Sequence, residues 1–153
     1  MTDISAFPTI TSEIVKHIGT TFTCKTVTDL KPGQAVEFQA SGASWQVTVA
    51  KAGGRAIGVV GATHAAGDLV TVYSVGSIVK MANADDTAVI DAGDLVESNS
   101  NNVGGTINAV AEAGSGAKGV LHPNLLGVAL DDIAASGTGY VLITLGALTQ
   151  PLA

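Results

Sequence analysis

Residues 114–119, with the sequence Gly-Ser-Gly-Ala-Lys-Gly, have the glycine spacing of a dinucleotide-binding loop. In such a loop the glycines let the backbone approach a pyrophosphate at the start of a helix. No helical pattern follows here, because Val120-Leu121-His122 runs directly into Pro123. The next acids, Asp131 and Asp132, come too early for the ribose contact that is expected about 20 residues on. The sequence therefore predicts an irregular, flexible loop and no bound nucleotide or other cofactor.

A cluster of acidic residues lies near the middle of the chain, at Asp85, Asp86, Asp91, Asp94 and Glu97. We interpret the cluster as part of a solvated loop. A weak calcium site or a docking patch for a basic partner is the alternative, because carboxylate oxygens suit hard cations and acid clusters attract basic surfaces. An enzyme or enzyme accessory protein with calcium at these acids is the corresponding functional alternative. The spacing is not that of an EF-hand, so we predict no metal-binding residue.

The residues that could act as nucleophiles or zinc ligands are isolated from one another. His17, His64 and His122 have no neighbours at zinc-ligand spacing, and Cys24 has no CxxC partner. No serine stands in a G-x-S-x-G pattern. Cys24 lies in a threonine-rich, strand-like segment, where we expect a buried and inert thiol. Acid–base pairs stay open, because paired carboxylates need not be near in sequence, but the pattern predicts no catalytic residue and no enzyme.

Trp45 is the single tryptophan, and polar residues surround it in the sequence. Its ring could serve as a platform on which a sugar stacks, although carbohydrate modules commonly present several such rings. We expect instead that Trp45 is buried in the core or in a subunit interface, because a large ring contributes most when it is buried.

The composition argues against several classes of protein. The net charge is −6 and the basic residues are scattered singly, so there is no basic stripe for a nucleic acid. No apolar run approaches the roughly 18 residues of a membrane helix, and the first residues lack the pattern of a signal peptide. Cys24 is the single cysteine, so no intrachain disulfide can form, and we expect a protein made in the cytoplasm.

The charged fraction is unusually small. It is 13%, against about 25% in ordinary soluble domains. A surface that carries so little charge is expected to be covered in part by partner molecules.

One short phrase occurs twice, because residues 66–70 and 92–96 both read Ala-Gly-Asp-Leu-Val. A longer and weaker internal repeat relates residues 57–76 to residues 126–146, and in it Gly58-Val59 matches Gly127-Val128. In the repeated phrase an aspartate follows a glycine, and such an aspartate commonly hydrogen-bonds to the backbone of its own turn. We therefore interpret Asp68 and Asp94 as structural residues of matched turns that connect strands.

Short apolar runs separated by turn residues every 8 to 12 positions are typical of an all-β barrel or sandwich. We predict a compact small barrel or sandwich of short antiparallel strands with an extended N-terminal arm, divided into an arm or first strand over residues 1–30 and a single β domain over residues 31–153. Strands are expected within the following ranges: 20–28 as an extended edge segment, 36–39, 45–49, 56–60, 69–75, 78–81, 106–111, 125–130 and 140–145.

Three local features complete the prediction. Residues 13–18, preceded by Thr11 or Ser12 and followed by Gly19, could form the one short helix. Strands 69–75 and 78–81, joined by Gly76-Ser77, are expected to pair as a hairpin. The polar residues 98–105 are expected to project as an exposed loop tip.

The order of these motifs resembles a family of small tailed-phage proteins known as capsid decoration or cement proteins, a domain of unknown function. The resemblance covers residues 31–147, and it is carried by the following segments in order: Pro32-Gly33-Gln34-Ala35-Val36, Ile57-Gly58-Val59, Ala66-Gly67-Asp68-Leu69-Val70, Gly76-Ser77-Ile78-Val79-Lys80, Ala92-Gly93-Asp94-Leu95-Val96 and Leu126-Gly127-Val128-Ala129, with a closing apolar strand. The chain departs from the family in a longer N-terminal region, extra residues around Trp45 and the insert at 114–123.

The resemblance implies a non-enzymatic virion protein on the outer surface of an icosahedral phage head. It implies that the major capsid protein is the partner, that the protein forms a homotrimer, and that it stabilises contacts between capsid subunits. No nucleic acid and no membrane is implied, and the N-terminal arm and exposed loops would form the binding surfaces. The alternative is a non-catalytic binding module that recognises a carbohydrate or a host surface.

Overall fold

The structure is a computed structural model, and it describes residues 7, 10, 13–39, 45–51, 54–84, 87–99, 104–110 and 125–145. These residues form eleven short strands and no helix, which confirms the predicted all-β class. The strands are β1 (Val15–His17), β2 (Thr21–Thr26), β3 (Ala35–Phe38), β4 (Gln46–Val49), β5 (Ala56–Val60), β6 (Leu69–Tyr73), β7 (Ile78–Ala82), β8 (Leu95–Ser98), β9 (Ile107–Ala109), β10 (Leu125–Ala129) and β11 (Thr138–Ile143).

The strands divide into two sheets. Strands β2 to β6 close into a barrel in the order β2-β4-β3-β5-β6, in which β2 and β4 are parallel and the other neighbours are antiparallel. The other strands form a six-stranded sheet in the order β1-β7-β11-β10-β8-β9. The predicted small barrel of short strands is therefore present, with a second sheet packed against it.

The second sheet repeats the strand order of the barrel. Read in the other direction around the closed barrel, the barrel order is β2-β6-β5-β3-β4. The sheet contains the order β7-β11-β10-β8-β9, so β7 to β11 correspond one by one to β2 to β6. In the barrel the Val27 N–H donates to the Val47 carbonyl beyond the end of β2, and in the sheet the Ala84 N–H donates to the Ile107 carbonyl beyond the end of β7, both at 2.9 Å. The chain is thus built from two tandem copies of one five-stranded unit. The internal repeat between residues 57–76 and 126–146 relates β5 and β6 of the first copy to β10 and β11 of the second.

Four similar turns lie at matching positions in the two copies, two in the barrel and two in the second sheet. They span residues 31–34, 65–68, 91–94 and 134–137, and in each the N–H of the fourth residue donates to the carbonyl of the first. The third residue has a positive φ in every case, which is the geometry of a type II turn. The turns interlock in pairs through backbone bridges, Leu30 with His64 in the barrel and Ile90 with Ile133 in the sheet. The duplicated Ala-Gly-Asp-Leu-Val phrase marks two of these four turns.

Two layers of apolar side chains fill the molecule. The barrel interior holds small and branched residues, namely Cys24, Leu30, Val36, Val47, Val60, Val70 and Val72. The larger core lies between the barrel and the sheet, where Ala35 and Val59 from the barrel meet Val79 and Val141 from the sheet. Because successive residues of a strand point to opposite faces, Ala35 contributes to one core and Val36 to the other.

Backbone hydrogen bonds connect the two copies directly. The Ala35 N–H donates to the Gly105 carbonyl at 3.0 Å, and the Gly105 N–H donates to the Ala50 carbonyl at 2.9 Å. The buried Gln34 side chain adds a third bond, from Nε2 to the Gly104 carbonyl at 3.0 Å. These bonds fix the barrel and the sheet in one arrangement.

The predicted helix at residues 13–18 is wrong, because β1 runs from Val15 to His17 and pairs with β7. Propensity alone is weak for so short a segment, and the exposed edge of β7 supplies backbone partners for an extended chain. The N-terminal residues that the structure describes lie against the body of the molecule. Phe7 and Ile10 are buried with Ala82, and the Tyr140 hydroxyl donates to the Glu13 carbonyl at 2.7 Å.

Two further expectations about strand pairing are wrong. β2 is extended as predicted, but it is not an edge strand, because β4 and β6 pair with it on either side. β6 and β7 do not form a hairpin, because β6 belongs to the barrel and β7 to the second sheet. The turn at Gly76 connects β6 of the first copy to β7 of the second. The Gly76 N–H donates to the Ile143 carbonyl of β11 at 2.8 Å, which ties this turn to the second sheet.

Candidate binding surfaces

The aspartates of the duplicated phrase act within their own turns, as predicted. Asp68 Oδ2 accepts a hydrogen bond from the Ala65 N–H, and Asp94 Oδ2 accepts one from the Asp91 N–H, both at 3.0 Å. A second aspartate reaches each turn from its interlocked partner. Asp29 Oδ1 accepts from the Ala66 N–H at 2.9 Å, and Asp132 Oδ1 accepts from the Ala92 N–H at 2.8 Å.

Glu97, another acidic residue of the candidate cation site, also forms a hydrogen bond within the fold. Glu97 Oε1 accepts from the Asn108 side chain at 3.4 Å, beside the Asp94 bond given above. Asp85 and Asp86 lie outside the described residues. Across the described ranges, no three His, Cys, Asp or Glu side chains are grouped closely enough to hold a metal ion.

The remaining candidates from sequence are dispersed. The glycine-rich residues 114–119 and His122 lie outside the described residues. His17 lies on the exposed edge strand β1, and the His64 backbone bridges Leu30. Cys24 is buried in the barrel, as predicted, and this burial raises the pKa of its thiol by desolvation. A buried thiol with a raised pKa is a poor nucleophile.

The predicted exposed loop at residues 98–105 is wrong at both of its ends. Ser98, Asn99, Gly104 and Gly105 are buried, and residues 100–103 lie outside the described residues. Ser98 Oγ donates to the Lys51 carbonyl at 3.1 Å, so Ser98 packs against the barrel. The Ser98 hydroxyl and the backbone groups of Gly104 and Gly105 form hydrogen bonds between the two copies.

Trp45 is not a core residue, which corrects the expectation of burial in the core. Its side chain is 67% exposed, and its φ is +62°, in the left-handed region that side-chain-bearing residues seldom adopt. Its carbonyl accepts a hydrogen bond from the Lys25 N–H at 3.1 Å, which ties the start of β4 to β2. The fold therefore presents the ring to solvent from a fixed backbone.

Trp45 shares one end of the barrel with two phenylalanines. β2 and β4 are parallel and β3 runs antiparallel to β4, so the starts of β2 and β4 and the end of β3 point to the same end of the barrel. The strands are staggered, because Gln46 at the start of β4 lies opposite Lys25 of β2. Phe22 and Phe38 stack there with ring centroids 6.3 Å apart. We call Phe22, Phe38 and Trp45 the aromatic end. It gathers three of the six aromatic residues of the chain.

The residues beside the aromatic end are polar, and one of them, the exposed Lys25 next to Trp45, is charged. Thr21, Thr23 and Gln39 are exposed, and Gln46 is half-buried. The Gln39 N–H donates to the Gln46 carbonyl at 2.9 Å, which fixes these two glutamines on neighbouring strands. The surface combines ring faces with hydroxyl and amide groups.

The opposite end of the barrel carries a groove of about 460 Å³. It lies where β2 and β4 diverge beyond their parallel contact, and its lining includes Val27, Thr28, Asp29, Val49 and Lys51. The Val49 N–H already donates to Thr28 Oγ1 at 3.3 Å, and Asp29 accepts from Ala66 as described. The polar groups of the groove are thus largely occupied by contacts within the barrel.

No local pattern in the sequence indicates the aromatic end. Phe22 and Phe38 are 16 residues apart, and no local spacing places them together. Alternation within a strand places Phe22 on the same face as Cys24, and Phe38 on the same face as Val36. This pattern predicts that both phenylalanines lie on the barrel-facing side of their strands. Strand order was needed to bring the two rings to one end.

The comparisons with known proteins concern the fold. No family model matches the chain, and no curated protein matches it. Among solved structures, the chain is similar to the crystal structure of the head fiber gp8.5 N base of bacteriophage phi29, with a TM-score of 0.52 and 15% sequence identity. The match covers 84% of this chain and 97% of that chain. The described residues include no helix that is long and apolar enough to cross a membrane.

Proposed function

We propose that this chain is a structural protein of a tailed-phage virion that attaches to the outer surface of the head. The observation that carries the proposal is the shared fold, since the chain matches nearly the whole length of the base of a phage head fibre. The order of the glycine-containing motifs gives separate support, because it resembles the capsid decoration family. Fold alone does not determine function, so the proposal rests on the agreement of these two indications.

The partner in this proposal is the major capsid protein, and the chain acts as a homotrimer that spans neighbouring capsid subunits. Stabilisation of this kind is mechanical. Many copies, each burying area across a seam between subunits, raise the work needed to separate them. A body in which backbone hydrogen bonds join the two copies of the unit, as at Ala35 and Gly105, is suited to transmit such a load. The low charged fraction of 13% agrees with a surface partly covered by protein.

The composition of purified virions of the phage that encodes this chain tests the proposal. Cryo-electron microscopy should show density of this fold outside the capsid shell, at local threefold positions, and mass spectrometry should find the chain in the particles. Absence of the chain from purified particles would contradict the virion role.

A second measurement separates attachment from stabilisation. Heads that lack the chain should bind the purified recombinant protein, and bound heads should resist heat or chelator treatment better than bare heads. Binding without a gain in resistance would leave a head-attached structural protein and would rule out the cement role. Sedimentation of the free protein measures whether it is a trimer.

A further inference from the structure

We propose that the aromatic end of the barrel binds neutral carbohydrate, with the rings of Trp45 and Phe38 as stacking faces. This inference does not depend on the virion role, because it follows from the surface of the barrel itself. It assigns a ligand class to the two exposed aromatic rings in the described part of the chain.

Two rings of the aromatic end are exposed to solvent. Trp45 is 67% exposed and Phe38 is 47% exposed, although aromatic side chains stabilise a fold most when they are buried. Phe22, on which Phe38 stacks, packs against the barrel interior and holds its neighbour in place. The φ of +62° at Trp45 adds backbone strain, and strain of this kind is concentrated at functional sites.

The exposed ring surface is small. Aromatic side chains bury about 150 to 250 Å² each, so the exposed parts of Trp45 and Phe38 amount to roughly 250 Å². A specific protein interface takes about 800 Å² from each partner. The exposed rings are too small for such an interface on their own, whereas one or two sugar rings can cover them.

The residues around the rings offer groups that suit the edge of a sugar. A sugar presents C–H groups on its ring faces and hydroxyl groups around its edge. Thr21, Thr23 and Gln39 offer hydroxyl and amide groups that can both donate and accept hydrogen bonds. A net charge of −6 disfavours polyanions, so a neutral glycan is the expected ligand rather than an acidic one.

Intrinsic fluorescence provides a specific test, because Trp45 is the single tryptophan of the chain. The purified protein is titrated with cellohexaose, mannohexaose, xylohexaose and N-acetylchitohexaose at up to millimolar concentration. Binding of at least one glycan should shift the emission to shorter wavelength and reduce quenching by iodide. If none of the four changes the emission or the quenching, the proposal is overturned.

Variants locate the site by calorimetry. Trp45→Ala and Phe38→Ala should each weaken binding of the responding glycan by more than about tenfold. Leu130→Ala, which removes an exposed apolar side chain directly after β10, is the matched control and should change affinity less than twofold. Equal binding by all variants would overturn the proposal. Circular dichroism establishes that each variant is folded.

A protein partner is the competing occupant. Ile18 and Val75 are also exposed, before the start of β2 and after the end of β6, so a protein that covered this whole end would contact them. Ile18→Ser should leave glycan affinity unchanged. If Trp45→Ala and Ile18→Ser both alter the sedimentation mass of the protein, the surface is a contact between copies of the chain and the glycan proposal is overturned.

Discussion

Gly58 and Gly127 occupy equivalent positions in the two copies, and each lies directly against a backbone carbonyl of the next strand. A Cβ on Gly58 would overlap the Tyr73 carbonyl oxygen, and a Cβ on Gly127 would overlap the Leu142 carbonyl oxygen. This close approach explains why Gly-Val is repeated at residues 58–59 and 127–128. The repeat records a steric requirement of the strand pairs β5–β6 and β10–β11.

Alanine at either glycine should therefore destabilise the protein. We expect Gly58→Ala and Gly127→Ala each to lower the free energy of unfolding by about 2 kcal/mol or more, because the contacted atoms belong to the backbone and cannot rotate away. Gly67→Ala is the comparison, since no atom lies within 4 Å of its Cβ position. It retains only the backbone strain of a positive φ, about 1 kcal/mol. Urea unfolding measures all three, and a loss at Gly127 smaller than that at Gly67 would contradict the steric explanation.

Ser136 holds a position that glycine holds in the other three turns. Its φ is +56°, where Gly33, Gly67 and Gly93 have φ values of +88°, +96° and +95°. Ser136→Gly should relieve left-handed strain and stabilise the protein by about 0.5 kcal/mol, because the relief slightly exceeds the added flexibility of the unfolded chain. The reverse change, Gly93→Ser, should destabilise. The prediction is wrong if thermal unfolding shows that Ser136→Gly is the less stable protein.

Gln34 performs the same role in its turn that Asp94 performs in the equivalent turn. Gln34 Oε1 accepts from the Lys31 N–H at 2.8 Å, but Gln34 is fully buried between the two copies, whereas the Asp94 turn is mostly exposed. A neutral amide avoids the desolvation of a carboxylate and also donates to the Gly104 carbonyl. We expect Gln34→Glu to destabilise the protein by roughly 3 kcal/mol at neutral pH.

The loss in Gln34→Glu should depend on pH. Burial would raise the pKa of the new carboxyl in the folded protein above its unfolded value. The variant should therefore be most stable below the unfolded pKa and lose stability as the pH rises towards the folded pKa. Asp94→Asn, which keeps an acceptor at an exposed turn, is the control and should change the free energy of unfolding by less than about 0.5 kcal/mol. A pH-independent loss in Gln34→Glu would contradict the explanation from charge burial.

The Cys24 thiol should couple stability to alkaline pH. Burial raises its pKa in the folded protein, whereas the unfolded thiol ionises near its ordinary value of about 8.5. Its contribution to stability is complete below the unfolded pKa and is lost as the pH rises from there towards the folded pKa. As the pH rises above the unfolded pKa, the wild-type free energy of unfolding should fall more steeply than that of Cys24→Ala. Parallel curves would show that the thiol does not titrate differently on folding.

Local chemistry determined what the sequence could predict. Turn residues such as Gly67 and Asp68 specify their own conformation through φ and a side-chain hydrogen bond, so these turns and the strand after Asp68 were predicted. Strand β8, which follows Asp94, was not among the predicted strands. Alternation within a strand separated the two faces of β2, where Cys24 is buried and Lys25 is exposed. The buried and inert state of Cys24 followed from this pattern.

Pairing partners could not be found in the same way. Nothing local in residues 13–18 shows that β7 offers an open edge, and nothing in Gly76-Ser77 shows that β6 and β7 belong to different sheets. The exposure of Trp45 has the same origin. Its place at one end of a barrel depends on the parallel contact of β2 with β4, which joins residues about 20 positions apart.

The way in which the second sheet ends has a consequence for solubility. One edge is β1, which is three residues long, has an irregular register with β7 and carries the exposed Lys16 and His17. At the other edge, Ile107 of β9 forms a parallel bridge with Asn83, which directly follows β7. Within the described ranges, the sheet therefore offers no long, flat edge to a neighbouring molecule, and such edges are where strand addition and aggregation begin. Molecules of this kind can be crowded side by side without joining their sheets.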